Sequence, residues 1–171
     1  SYKPENVVEN DSDGILVLRA SNIQNGKPSF DDNVFVDIKV DEKIITKEGD
    51  ILICSRSGSR KLIGKNLTID KELEGNTFGV FMTIFRSVNW RFISKVLNSP
   101  IFKNQSGLFL TSTINQLTID TLKNFVVPFP SSGTERNEIS NYLDKQTQKI
   151  DTTIEKETKR IELLKEYRQS L

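Results

Sequence analysis

Short apolar runs separated by turn residues occupy the chain up to about residue 130, and a stripe repeating every three to four residues occupies the remainder. Ile15-Leu16-Val17-Leu18 has strand length, and Val34-Phe35-Val36-Asp37-Ile38 is rich in β-branched and aromatic residues. Ile51 to Ile53 is a third run, and Phe78 to Phe85 is the strongest strand pattern, predicted to be buried on both faces. Asn25-Gly26 and Glu48-Gly49-Asp50 are turn signals between these runs. Trp90, Ile93, Val96 and Leu97 recur at helical spacing, which places Trp90 in the core, and Pro100 is predicted to end that helix. A short helix is expected over Ile119 to Asn124, after which Phe125-Val126-Val127 returns to extended chain before Pro128-Phe129-Pro130.

The tail follows a different rule. Ser132-x-x-Glu135 forms a capping box, and no proline or glycine follows through Leu171. Leu143, Thr147, Ile150, Ile154, Glu157, Ile161, Leu164, Arg168 and Leu171 alternate spacings of four and three, a heptad seam interrupted by three polar residues. A continuous helix here would be about 57 Å long. That is too long to pack along its whole length on a small domain, so the apolar stripe calls for another helix; the alternative is a helix folded back on its own domain. The expected fold class is α+β: a mixed, strand-rich head over residues 1–130, then a long helix over residues 131–171 that forms a coiled coil. No internal repeat is visible.

Composition narrows the chemistry. The chain has 171 residues with 24 Lys+Arg against 23 Asp+Glu, so any attraction to polyanions must come from local clustering. It has no histidine, which removes His-based acid–base chemistry and His-ligated metal sites. The single cysteine, Cys54, cannot build a disulfide framework or a thiolate zinc site and reads as a small buried thiol. Neither a Walker loop nor G-x-G-x-x-G is present, and the carboxylates are scattered among lysines like a solvated surface. With no membrane-length apolar run and no signal peptide, a soluble cytoplasmic protein is expected.

One cluster stands out. In GDILICSRSGSRKLIGK, residues 49–65, Arg56, Arg60, Lys61 and Lys65 follow an apolar strand, with no acidic residue until Asp70. The cations, with Ser57, Ser59 and loop amides, suit phosphate contact, and Gly58 would let a backbone approach closely. An arginine could instead read guanine through its two-pronged guanidinium. The plainer reading is a solvated basic loop. A second candidate is the polar run Thr111, Ser112, Thr113, Asn115 and Gln116, because Asn and Gln suit adenine edges. Those residues could equally cap the next helix, with Asn115 or Thr118 at its start. Asn22 and Gln24 read as turn residues.

Together, GDIL…SRSGS (49–59), FISKVLNSPIF (92–102), TSTINQLTIDTLKNFVVPFP (111–130) and the tail EISNYLDKQTQKIDTTIEKETKRIELLKEYRQSL (138–171) resemble the specificity subunit of type I restriction–modification enzymes. The likeness runs over nearly the whole chain and is most specific in the tail. Where relatives commonly have Glu-Gln, this chain has Glu135-Arg136.

The resemblance implies a non-catalytic protein that binds double-stranded DNA. Arg56, Ser57, Ser59, Arg60, Lys61, Lys65, Thr111, Thr113, Asn115 and Gln116 are the residues expected at DNA. It implies docking to methyltransferase (M) and restriction (R) subunits, with S-adenosylmethionine on the M subunit and no cofactor in this chain. Family members usually carry two recognition domains and two spacer helices. One of each is present here, as in a fragment or a half-subunit that pairs with its own copy. Leu143, Ile150, Ile154, Ile161 and Leu164 would then form an antiparallel dimer seam, a ruler in which one added helical turn moves the readers by about 5.4 Å. The rival expectation is a coiled-coil scaffold whose head binds protein.

Overall fold

A computed structural model describes residues 2–109 and 116–170. The chain divides into two compact units, Ser1–Pro128 and Phe129–Leu171. In chain order the elements are β1 (Val7–Val8), β2 (Ile15–Leu18), β3 (Ile23–Gln24), β4 (Lys27–Pro28), β5 (Phe35–Val36), β6 (Ile51–Cys54), β7 (Asn66–Thr68), β8 (Thr77–Phe78) and β9 (Met82–Phe85). The helices are α1 (Trp90–Leu97), α2 (Pro100–Phe109), α3 (Ile119–Lys123) and α4 (Gly133–Ser170). The fold is thus α+β, strand-rich in the first unit and ending in one long helix.

Among the described residues three small sheets build the first unit. One has the order β1-β5-β2-β8, with β2 and β8 parallel; β3 and β4 form a hairpin; and β7-β6-β9 is antiparallel. Asn25 and Gly26 turn the hairpin with φ of 54° and 74°, the left-handed pair that a two-residue connection requires. Asn22 beside it is buried. Its side chain accepts from the Arg19 amide at 2.9 Å and donates to the Ser29 carbonyl at 3.1 Å, so it organises the turn, as expected.

Strand β6 is buried on both faces because alternate residues enter different cores. Leu52 and Cys54 join Leu16, Leu18, Ile23, Leu67 and Met82. Ile51 and Ile53 join Ile63, Leu97, Phe102 and Leu117, with Trp90 packed against them. The Lys47–Asp50 turn ahead of β6 needs Gly49: its φ is +85°, and a Cβ there would lie 2.7 Å from the Trp90 ring. Buried Asp50 accepts two bonds of 2.6 Å from Arg86, just after β9, and one of 2.9 Å from the Lys47 amide. The Asp50 hydrogen bond holds the Arg86 guanidinium above its ordinary pKa.

Two expectations are corrected. Phe78 to Phe85 is not one strand buried on both faces. The chain turns at Gly79–Phe81, so that β8 completes the first sheet and β9 the third, and Val80 and Phe81 are left 65% and 54% exposed. Pro100 does end α1, but it also opens α2. Its missing amide costs nothing in a first helical turn. From α2, Gln105 clamps the segment after α3 through paired bonds to the Val126 amide (3.0 Å) and carbonyl (2.7 Å).

In the second unit, the Glu135 amide donates to Ser132 Oγ at 3.4 Å, one half of the expected capping box. The Arg136 guanidinium lies 4.6 Å from the centre of the Phe129 ring and donates to the carbonyls of Pro130 and Ser131. Arg136 therefore ties the Pro-bounded segment to the first turn of α4. Along α4, Ile150, Ile154, Ile161 and Leu164 are between 52% and 59% exposed, and Leu143 is 37% exposed. No described helix is long and apolar enough to cross a membrane.

Candidate nucleic-acid interface

The basic segment leaves the end of β6 as an irregular loop pinned at both sides. Ser55 and Arg56 both donate their amides to the Phe81 carbonyl, at 2.9 and 3.1 Å, and the Leu117 amide donates to the Ser55 carbonyl at 2.7 Å. Arg56 and Gln116 form an antiparallel β-bridge. Two segments picked out separately in the sequence, 60 residues apart, thus meet backbone to backbone. Thr111, Thr113 and Asn115 lie outside the described residues. Thr118 caps α3, its hydroxyl accepting from the Thr121 amide at 3.0 Å.

Beyond Arg56 the loop is shaped by its own small residues. Ser57 Oγ accepts from the Ser59 amide at 3.1 Å, and Ser59 precedes a single 3₁₀ turn, Arg60–Leu62. Arg60 and Lys61 on that turn are exposed. Gly64 closes the loop with φ +79°, where a Cβ would sit 2.8 Å from the Phe102 ring. Lys65 is half-buried, and its ammonium donates to the Ala20 carbonyl at 3.3 Å and to Gln24 Oε1 at 3.4 Å, tying the loop to the hairpin.

Two cavities flank the loop. The smaller, about 590 Å³, is lined by Arg60, Lys61, Lys65 and Lys103 together with asparagines and apolar residues, and among the described residues no carboxylate lines it. The larger, about 1280 Å³, is reached by Arg56 and Ser57 and has apolar walls that include Phe78, Val80 and Phe81. Arg19 and Asp32 also line it and are paired at 2.9 Å. The Arg19 hydrogen bond holds the Asp32 carboxyl below the usual carboxylate range. Among the described residues no group of three or more His, Cys, Asp and Glu is placed to hold a metal ion.

Two features escaped the sequence reading. Lys103 joins the cationic cavity from α2, the helix hidden behind Pro100. The exposed Val80–Phe81 tip lay inside what read as a buried strand; Gly79 was its one signal.

The family model for the type I restriction modification DNA specificity domain matches residues 3–164. The chain belongs to that family. It is 30% identical over its whole length to the type I restriction enzyme EcoKI specificity subunit of Escherichia coli K12 and to the StySPI specificity subunit of Salmonella potsdam. It spans 38% of each of those proteins. Among solved structures it resembles the HsdS subunit of Thermoanaerobacter tengcongensis, with a TM-score of 0.63 at 13% identity, over 81% of this chain and 37% of that one. A chain from a structure of complex assembly and conformational transition in the type I R-M system gives a TM-score of 0.66 at 14% identity, over 94% of this chain and 45% of that one. These two likenesses concern the fold.

Proposed function

We propose that this chain is the DNA-reading part of a type I restriction–modification specificity subunit, acting in the cytoplasm without catalysis of its own. The head, residues 1–130, binds double-stranded DNA, and the helix, residues 131–171, pairs antiparallel with another helix. That partner is a second copy of this chain if it works as a half-subunit. The complex positions methyltransferase and restriction subunits on a two-part target, and S-adenosylmethionine belongs to the methyltransferase.

The observation that carries the DNA reading is the smaller cavity. In a chain of net charge +1, four cations surround one depression in which no carboxylate is among the described lining residues. Such a local field attracts a polyanion even where the whole molecule does not. Arg60 and Lys61 contact phosphate directly. Lys65 holds the loop in place while adding to the field, and Ser57 and Ser59 shape it. A head that binds protein has no comparable support.

The test is duplex affinity as a function of salt. The wild-type chain is expected to bind with a steep negative slope of log affinity against log salt. Arg60→Ala with Lys61→Ala is expected to lower the slope by about 2, since each phosphate contact contributes about 0.9. Binding that ignores salt would remove the proposal.

A further inference from the structure

We propose that Arg56, Gln116 and the Val80–Phe81 tip form a base-reading ridge, separate in role from the phosphate-binding turn at Arg60–Lys61. This rests on the DNA-binding reading above and assigns sequence selectivity to particular side chains within it.

The β-bridge is the starting point. Residues directly opposite each other in an antiparallel pair project to the same side, with Cβ atoms about 4.5–5.5 Å apart. Arg56 and Gln116 therefore leave the backbone as neighbours, at a spacing between one and two base-pair rises of ~3.4 Å, within reach of adjacent base pairs for two long side chains. Their chemistries complement each other: the arginine fork matches the two acceptors of guanine, and the glutamine amide matches the donor–acceptor edge of adenine. The Arg56 side chain is exposed and has no hydrogen-bond partner among the described residues.

Position is enforced by the backbone. Ser55 and Arg56 converge on the Phe81 carbonyl from one side, and Leu117 binds Ser55 from the other. The Ser55 hydroxyl also donates to the Phe81 carbonyl, at 3.1 Å. The reader is thus held between the 79–81 turn and the 116–117 segment, and a site on a fixed frame discriminates better than one on a free loop. The same bonds place Val80 and Phe81 beside Arg56.

A Val and a Phe more than half exposed next to a cation are poorly suited to phosphate and well suited to apolar base surface, above all the thymine methyl group. The two cavities differ accordingly. Arg56, Val80 and Phe81 line the larger one, whose wall is mostly apolar but also carries Arg19, Asp32, Lys39 and Asp41, while Arg60, Lys61 and Lys103 line the cationic one.

The experiment selects bound sequences from a library of fully randomised duplexes with the full chain, comparing wild type with Arg56→Lys, Gln116→Ala and Val80→Ser. Arg56→Lys keeps the charge and loses the fork. It is expected to abolish a guanine preference of roughly 10- to 100-fold at one position, leaving the salt slope unchanged. Gln116→Ala is expected to relax an adjacent position. Exchanging thymine for uracil in the selected site is expected to weaken the wild type and leave Val80→Ser indifferent, a comparison that needs only a folded chain and DNA. The ridge is overturned if Arg56→Lys selects the wild-type sequence, if Arg56→Ala weakens all sequences equally, or if the wild type binds with salt dependence but selects nothing. Absence of any salt-dependent duplex binding removes the underlying DNA reading as well.

Discussion

Replacing Ile150 and Ile154 together by glutamate is expected to convert a two-chain particle, of about twice 19.5 kDa, into single chains of 19.5 kDa. The reason lies in the order of the seam. When two copies of α4 run antiparallel about an axis at residue 152, Ile150 of one meets Ile154 of the other, and Leu143 meets Ile161. The polar pair Thr147 and Glu157 also coincide, so the central layers match apolar with apolar and polar with polar, while Leu164 at the outer layer meets Ser140. A shift of one heptad one way places Leu143 against Arg168 and Ile154 against Glu157, leaving Ile150 with Ile161 as the one apolar match; the other way, Leu143 with Ile154 is the one apolar match and Ile150 meets Thr147. Polar seam positions select register in this way. The two substitutions put four carboxylates next to the axis, where the most exposed isoleucines of the seam would otherwise be buried. Sedimentation equilibrium checks the result. A wild-type chain that sediments as a single copy at micromolar concentration would end the self-pairing proposal.

The second large effect concerns stability. Arg86→Ala is expected to lower the unfolding free energy by about 3 kcal/mol, because it leaves the Asp50 carboxylate, 1% exposed, with the Lys47 amide as its remaining donor. The low end of the range for breaking a buried pair applies because the Arg86 side chain is itself 46% exposed. At roughly 2–4 °C per kcal/mol for a chain of this size, the melting temperature should fall by roughly 6–12 °C. Asp50→Asn in the same background should recover part of the loss, since a neutral amide is cheaper to bury than an unpaired charge. A thermal melt shifted by under ~2 °C would show that the pair adds little.

How far the sequence foretold this fold depends on how local each signal is. Strand β6, helix α1 and helix α4 follow from apolar spacing alone, and Thr118 as the cap of α3 follows from side-chain chemistry. The 78–85 segment misled because residues serving two different sheets give the same apolar run as one buried strand; Gly79 was too weak a mark against it. Pro100 was ambiguous, since the same residue stops one helix and starts the next. The Arg56–Gln116 bridge had no local signal at all: it depends on β6 being flanked by both the 79–81 turn and the 116–117 segment. The clustering of cations at 56–65 was therefore plain in the sequence, but its division between two cavities was not.

Cys54 has one more consequence. Its thiol is fully buried, and desolvation raises its pKa, so little thiolate is available to react. A cysteine introduced on an exposed face would be the one fast-reacting thiol of the chain. Spin labels placed at 138 and at 152 of α4 would then report axial separations of about 42 Å and near zero in the antiparallel arrangement, so its geometry can be surveyed without first replacing Cys54.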